Sequence, residues 1–333
     1  MVWQRSQGNA SLGDAVAELH LGPTFNDLPD CKQVRDQNIS INTSAYSQAR
    51  SRLPITAAIH AADHVFAHLT ADLAPAWKGA PAYLIDGSSL TLGHHPELVA
   101  AFPPASNQHG TSNWPVVRFV AAHELATGFA PRWEWGPMYG PDATSETALA
   151  VPLLSRLPAA SLIVYDRNFG IFNMTYAAVK ASHDVVARMT GARFLAQTRG
   201  MAQTVAGEWV KAWRPSAWDR RSNPGLPADA QVRGRFVEVR VIHKGKEFML
   251  LLFTTDMTAT HEELAALYRK RWDIESDIRD LKQTLNMDIL SGHTVEMVEK
   301  EMLLGVVAYN LTIEVRRLAG EQAGVPAREL SFG

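Results

Sequence analysis

The sequence predicts an α/β fold whose core is interrupted by a strand-rich insertion, and two observations carry this prediction. First, short apolar runs with strand character, such as AYLI at 82–85 and SLIVY at 161–165, alternate with segments of helical periodicity. Second, a strand-rich stretch that contains FVEVRVI at 236–242 separates this alternation from two long helical segments near the C-terminus. An α/β core that the chain leaves and then re-enters accounts for this order.

The composition is that of a folded protein. The 333 residues are 46% hydrophobic and 20% charged, which is typical of globular domains rather than of disordered chains. The one cysteine, Cys31, excludes an intrachain disulfide framework and a zinc site built from cysteines. No signal-peptide pattern and no apolar run of bilayer length is apparent. We therefore expect a cytoplasmic protein that does not associate with a membrane.

Positive charge is concentrated in one segment, although the whole chain is slightly acidic. The formal net charge is −2. Residues 181–246 nevertheless contain 12 Lys and Arg against 5 Asp and Glu. A local basic surface of this kind is enough to attract phosphate groups.

In the N-terminal half, helices are indicated by apolar residues at helical spacing and strands by runs of apolar and β-branched residues. The short helix predicted at 44–53, which Pro54 ends, is either an ordinary surface helix or an element that contacts DNA. A proline within the last predicted helix of this half would kink it. The predicted segments are helices 44–53 and 55–73, strands 82–85, 90–92 and 116–125, a loop at 103–115, and helix 144–157.

The C-terminal half begins with strands and ends with helices. The predicted hairpin turns at Lys244-Gly245 and has alternating polarity on its first strand. Trp209 and Trp213 are four residues apart, which favours core positions on a helix. The predicted segments are strand 160–165, helix 172–181, strands 185–189 and 192–197, a loop at 216–229, hairpin strands 235–243 and 246–255, and helices 264–285 and 294–318.

The helix predicted at 264–285 carries an unusual polar row. Thr260 can cap its start, and no Gly or Pro interrupts it. Four polar side chains at relative positions 0, 3, 7 and 14 fall within an arc of roughly 60° on such a helix. They could be incidental ion-pairing groups on a charged amphipathic helix, or a functional row of one phenol, one carboxylate and two cations. The four residues are Tyr268, Arg271, Glu275 and Lys282.

Two aspartates each follow a short apolar strand: Asp86 after AYLI and Asp166 after SLIVY. Open α/β sheets place functional groups at the carboxyl ends of their strands, and converging carboxylates suit Mg²⁺. Two such ions can activate an attacking oxygen and stabilise the leaving oxygen in phosphodiester chemistry. Glu275 is the natural third ligand. Alternatively, Asp86-Gly87 forms a hairpin turn and Asp166 caps the next helix.

Together these motifs resemble the DDE transposases of bacterial insertion sequences, in the branch that includes the insertion sequence 4 family. The polar row fits that branch's signature, Tyr-x2-Arg-x3-Glu-x6-Lys, without misspacing. LIDGSS at 84–89 and VYDRNFG at 164–170 resemble its two aspartate segments, and Tyr309-Asn310-Leu311 resembles a later helical motif. The resemblance covers about residues 44–318. It implies a ribonuclease-H-like mixed sheet with helices, interrupted by a β-rich insertion.

The resemblance also implies a role for each site residue. Asp86, Asp166 and Glu275 would be catalytic and would hold two Mg²⁺ ions, for which Mn²⁺ can substitute. The other polar residues of the row would bind DNA phosphates. An exposed tryptophan of the insertion could stack on a flipped base, and an arginine beside the second aspartate could contact phosphate. These expected DNA contacts are Tyr268, Arg271, Lys282, Arg167 and Trp218.

The implied activity is metal-dependent DNA cleavage at transposon ends, followed by strand transfer into target DNA. The partners would be double-stranded DNA, as inverted-repeat ends and target, and a second copy in a homodimer assembled on DNA. The alternatives are a structure-selective nuclease of the same fold or a truncated, inactive DNA-binding remnant. The expected domains are a mostly helical region at 1–75 with a DNA contact, a catalytic core at 76–194 and 256–320, a basic insertion at 195–255, and a tail at 321–333.

Overall fold

The structure is a computed structural model that describes residues 1–22, 30, 32–36, 38, 40–108, 110–243 and 246–331. Cys31 and the predicted turn at Lys244-Gly245 lie outside the described residues. The chain divides into two compact units. The first contains Met1–Ala71, Leu90–Val116 and Arg279–Gly333, and the second contains Asp72–Ser89 and Val117–Ile278. Among the described residues, no helix has both the length and the apolar character needed to cross a membrane.

The strands are numbered in chain order. They are β1 Ala82–Thr91, β2 Pro104–Asn107, β3 Gly110–Glu124, β4 Glu134–Pro137, β5 Leu162–Tyr165, β6 Asp184–Arg188, β7 Glu208–Trp213, β8 Val232–His243 and β9 Lys246–Thr254.

The helices are numbered in the same way, and a π-helical turn at Asp280–Thr284 follows α12. They are α1 Val2–Ser6, α2 Leu12–Leu21, α3 Lys32–Arg35, α4 Thr43–Arg52, α5 Ile55–Thr70, α6 Pro96–Ala101, α7 Glu146–Leu154, α8 Phe172–Lys180, α9 Gly191–Thr198, α10 Ala217–Ser222, α11 His261–Arg269, α12 Trp272–Arg279 and α13 Val295–Ala323.

The second unit is built on a mixed sheet with the strand order β3-β1-β5-β6-β9-β8-β7, and β4 also pairs with β3. Strands β1, β5 and β6 are parallel, and β9, β8 and β7 continue the sheet in antiparallel fashion. The parallel strands are short and apolar because both of their faces are buried: residues 82–85 and 162–165 are buried throughout. The predicted mixed α/β class is confirmed, and the predicted hairpin is β8 and β9.

The first unit is mainly helical. Its longest element is α13, with Gly324 in the left-handed conformation (φ 69°) after its last turn, as is common at helix ends. Helix α5 packs against α13, and its buried Ala58, Ala62 and Phe66 follow helical spacing. Strand β2 pairs with the first part of β3, so the loop predicted at 103–115 is wrong over much of its length.

The strand predicted at 192–197 is also wrong, because this segment forms α9. The hydroxyl of Thr190 accepts a hydrogen bond from the backbone N–H of Arg193 and thereby caps the helix. Phe194 and Thr198, one turn apart, are both buried. The buried spacing fits a strand as well, but the cap at Thr190 favours a helix despite the apolar content of the segment.

Trp209 and Trp213 lie in strand β7, so their predicted helix is wrong although their predicted burial is confirmed. Residues four apart point to the same face of a strand as well as of a helix, which is why the spacing did not discriminate. Each packs edge-on against a phenylalanine, with ring centroids 5.7 Å apart for Phe194–Trp209 and 4.9 Å for Trp213–Phe253. The tryptophans therefore belong to the apolar core of the second unit.

Candidate active site

Asp86 and Asp166 lie side by side on neighbouring parallel strands. In the register of β1 and β5, Ile85 is paired with Tyr165, so the two aspartates are the next residues on each strand. Adjacent strands are about 4.8 Å apart, which brings the two carboxylates to one point of the sheet. Strand β1 continues through Asp86 to Thr91. The hairpin-turn alternative for Asp86-Gly87 is therefore wrong.

Asp166 orients the loop that follows β5. Its Oδ1 accepts hydrogen bonds from the backbone N–H groups of Asn168, at 2.8 Å, and Phe169, at 3.4 Å. Such an Asx turn fixes the side chain against its own backbone. The residue that precedes α8 is Ile171, and no side chain caps that helix. The interpretation of Asp166 as the cap of the next helix is therefore wrong.

Asp86 has an unusual electrostatic environment. Burial raises the pKa of its carboxyl from 3.8 to about 6. The negative charges of Asp166 and Glu146 push the pKa further in the same direction, whereas the N–H of Gly87 and the Arg271 guanidinium oppose them. Like-charged carboxylates that share a site resist joint ionisation, and a cation relieves that resistance. Perturbed carboxyl pKa values of this kind cluster at functional sites, which makes Asp86 a candidate site residue.

Glu146 is a carboxylate at this site that sequence reasoning missed. It is the first residue of α7, which Ser145 caps. An acidic residue in a first helical turn is common because it interacts favourably with the helix dipole, so its position alone indicates no site. A Cβ added to Gly87 would lie 2.7 Å from the Glu146 carboxyl carbon. Gly87 therefore leaves the space that the Glu146 carboxyl group occupies, and this contact across the fold has no signal in the local sequence.

The helix predicted at 264–285 is not continuous, which corrects the prediction. Helix α11 ends at Arg269, and α12 begins at Trp272. Between them the backbone N–H groups of Lys270 and Arg271 bond three residues back, each at 3.1 Å. Such a tightened turn changes the rotation per residue, so the polar row does not lie on one straight helical face. The break contains no Gly or Pro, so the helical periodicity of the sequence did not indicate it.

Arg271 lies between two of the predicted catalytic carboxylates. Its Nη2 is 2.6 Å from Glu275 Oε1, and its Nη1 is 3.5 Å from Asp86 Oδ2. Its side chain is only 9% exposed, whereas that of Glu275 is 56% exposed. Burial alone would lower the pKa of Arg271, but the hydrogen bond to Glu275 and the nearby negative charges outweigh it and raise that pKa. Arg271 therefore links Glu275 to the strand that carries Asp86.

Tyr268 is almost fully buried, at 1% exposure. Burial raises the pKa of its phenol to about 12, so the hydroxyl keeps its proton at neutral pH. That hydroxyl has no hydrogen-bond partner of good geometry among the described residues, although Arg188 lies close enough to oppose the rise of its pKa. Lys282 lies in the π-helical turn of the first unit. Its expected DNA contact stays a prediction.

The exposed candidates for DNA contact belong to the second unit. Arg167 is exposed directly after Asp166, and Trp218 is 55% exposed on α10. Helix α10 lies within the loop predicted at 216–229. It is held to α8 by Asn173, whose Nδ2 donates to the carbonyl of Asp219, at 3.1 Å, and to Ser222 Oγ, at 2.9 Å. Helix α8 begins six residues after Asp166. Trp218 is thereby tied to the segment that follows the second aspartate.

The carboxylates fit a divalent cation by their chemistry. Asp86, Asp166 and Glu275 offer only oxygen donors, which hard cations such as Mg²⁺ prefer. Within the described residues, no three His, Cys, Asp or Glu side chains are arranged as a group that could hold a metal ion. In this structure Glu275 instead points to Arg271. Carboxylates near the carboxyl ends of adjacent strands lie where open α/β sheets place functional groups, and bound divalent cations can act on phosphodiesters.

Comparison with known proteins identifies the family of this chain. The family model of the transposase DDE domain matches residues 77–311, which is more than half of the chain, and the chain belongs to this family. It is also 29% identical over 265 residues to the transposase InsG for insertion sequence element IS4 of Escherichia coli strain K12. That alignment covers 78% of this chain and 57% of InsG, so the chain spans little more than half the length of this relative.

Proposed function

We propose that this chain is the catalytic part of a DNA transposase, which cleaves DNA at transposon ends and joins the freed ends to target DNA. The observation that carries the proposal is the register of β1 and β5, which sets Asp86 beside Asp166 with Arg271 linking Asp86 to Glu275. Family membership and the similarity to InsG support it. The corresponding fold is ribonuclease-H-like, which the strand order and the parallel β1–β5–β6 core support.

Asp86, Asp166 and Glu275 would hold two Mg²⁺ ions, for which Mn²⁺ can substitute. When bound, the cations would activate the attacking oxygen and stabilise the leaving oxygen of the phosphodiester. The protein's own contribution begins with orientation: the Asx turn of Asp166 fixes one carboxyl group, and β1 fixes the other. The exposed side chain of Glu275 can reorient more easily than either aspartate, because it stands on α12 rather than within the sheet.

The DNA would be double-stranded, as inverted-repeat ends and as target, and the protein would assemble on it as a homodimer in the cytoplasm. The planar guanidinium of Arg271 matches a phosphate in two-pronged geometry, whereas Lys282 would act as a point charge. The protonated phenol of Tyr268 would donate to a phosphate oxygen only if DNA binding exposes its hydroxyl, which is buried in this structure. Arg167 and Trp218 would contact phosphate and a splayed base, respectively, because both side chains are exposed.

The test is a cleavage and strand-transfer assay with Mg²⁺, in which the substrate is the DNA that flanks this reading frame in its genome. We expect Asp86→Asn, Asp166→Asn and Glu275→Gln each to lower cleavage by about a thousandfold or more. The exposed Asp229→Asn is the matched control and should retain activity. Full cleavage by Asp86→Asn would disprove the site assignment. Cleavage without joining of precut ends would instead identify a nuclease, and metal-independent binding without cleavage would identify an inactive remnant.

A further inference from the structure

One arginine neutralises two of the carboxylates that the proposed function assigns to cation binding. The Arg271 guanidinium is 2.6 Å from Glu275 and 3.5 Å from Asp86. Its side chain is 9% exposed and that of Asp86 is 22% exposed. Its third nitrogen, Nε, is buried without a hydrogen-bond partner among the described residues. The guanidinium therefore contacts both carboxylates, but one of its own N–H groups remains without an acceptor in the described part of the chain.

We propose that Arg271 is an internal competitor of divalent cations, which holds Asp86 and Glu275 until a DNA phosphate takes their place on the guanidinium. This inference rests on the proposed function, because it assigns the same carboxylates to cation binding. A guanidinium and a divalent cation are alternative positive partners for these oxygens. While the Arg271–Glu275 contact persists, the Glu275 oxygen that faces Arg271 is occupied by a donor.

The cost of removing the arginine from its partners explains why an anion has to replace them. A buried charge that loses its ion-pair partner is strongly unfavourable. Arg271 would therefore release Asp86 and Glu275 most readily when a phosphate oxygen supplies equivalent hydrogen bonds. DNA binding and cation binding would then favour each other, and by linkage the coupling is reciprocal. A protein built in this way loads its cations mainly when DNA is in place, which limits cleavage at wrong positions.

The test measures Mn²⁺ affinity in the full chain without DNA, by the electron paramagnetic resonance signal of free Mn²⁺ at about pH 8, where carboxylates are ionised. We expect Arg271→Gln to bind Mn²⁺ about tenfold more tightly than the original chain, because a competing charge adjacent to a carboxylate is worth at least that factor. Loss of a merely structural arginine would have the opposite sign and would weaken Mn²⁺ binding.

Two further variants control for charge and for folding. Arg269→Gln removes the same charge from an exposed position two residues away, and it should leave Mn²⁺ affinity unchanged. Arg271→Lys keeps the charge but offers a single point donor, which cannot bridge two carboxylates. It should tighten Mn²⁺ binding by a smaller factor, and it tests the inference if the glutamine variant does not fold.

Failure of the inference is distinguishable from failure of the proposed function. Asp86→Asn and Glu275→Gln should each weaken Mn²⁺ binding if these residues are ligands. If both bind Mn²⁺ as the original chain does, the proposed site is wrong. If they bind weakly, while the Arg271 variants bind Mn²⁺ no more tightly than the original chain, the site is right and the competition by Arg271 is wrong.

Discussion

The two units each contain an arginine–carboxylate cluster, and the two clusters are built for different purposes. In the first unit, Glu301 is 2% exposed and accepts hydrogen bonds from Arg5, Arg50, Ser291 and the backbone of Gly292. In the second unit, Glu275 is 56% exposed and is bonded to Arg271. The carboxylate that is saturated with donors stabilises a fold, whereas one that is held by a single arginine remains available for other partners.

The largest effect is expected from breaking the saturated cluster. Glu301→Ala would leave Arg5 and Arg50 buried near each other without their shared anion. We expect a loss of about 3–5 kcal/mol in the free energy of unfolding, measured by denaturant titration. The control is Glu321→Ala, on the same helix and 61% exposed, for which the loss should stay below about 1 kcal/mol. Similar losses in the two variants would show that the Glu301 cluster is not structural.

Asp86→Asn should have the opposite effect on stability. The pKa of Asp86, raised from 3.8 to about 6, means that the folded protein binds this proton more tightly than the unfolded chain does. Ionised Asp86 therefore costs stability above about pH 6, on the order of 3 kcal/mol. Asparagine, which is neutral at every pH, does not carry that cost, so we expect a net gain of about 1–2 kcal/mol at neutral pH.

The pH dependence of the free energy of unfolding tests this expected gain. Below the unfolded pKa of 3.8 both states carry a protonated Asp86, so the advantage of asparagine should be smallest there. It should grow as the pH rises through the folded pKa of about 6 and then level off. Thermal unfolding at several pH values measures this difference. An advantage that does not change with pH would mean that the asparagine acts through packing and not through the charge.

The parts of the site that the sequence predicts are those fixed by neighbouring residues. Asp86 and Asp166 follow apolar strands, and the pairing of Ile85 with Tyr165 places them together, as the strand-end argument expects. The link from Arg271 to Asp86 lies instead at a helix break without Gly or Pro. Local helical propensity gives no sign of such a break, because tertiary context can override it.

Strand β8 and helix α9 differ in how far the sequence predicts them. The alternation in β8 predicted a strand because one face of the hairpin is buried, and that strand is present. The segment of α9 has a comparable apolar content, but the hydrogen bond from the Arg193 backbone to Thr190 decides for a helix. Periodicity over so few residues fits both interpretations, and only the cap distinguishes them.

Glu146→Gln is the smallest expected effect and the sharpest test of the crowded carboxylates. The Glu146 charge contributes to the raised pKa of Asp86, so its removal should move that pKa down towards 3.8. Glutamine keeps the shape of the side chain beside Gly87, and we expect the free energy of unfolding to change by less than about 1 kcal/mol. Carbon-13 NMR titration of the aspartate carboxyl groups measures the shift. An unchanged Asp86 titration would show that burial and the other neighbours set this pKa and that Glu146 is electrostatically independent of the site.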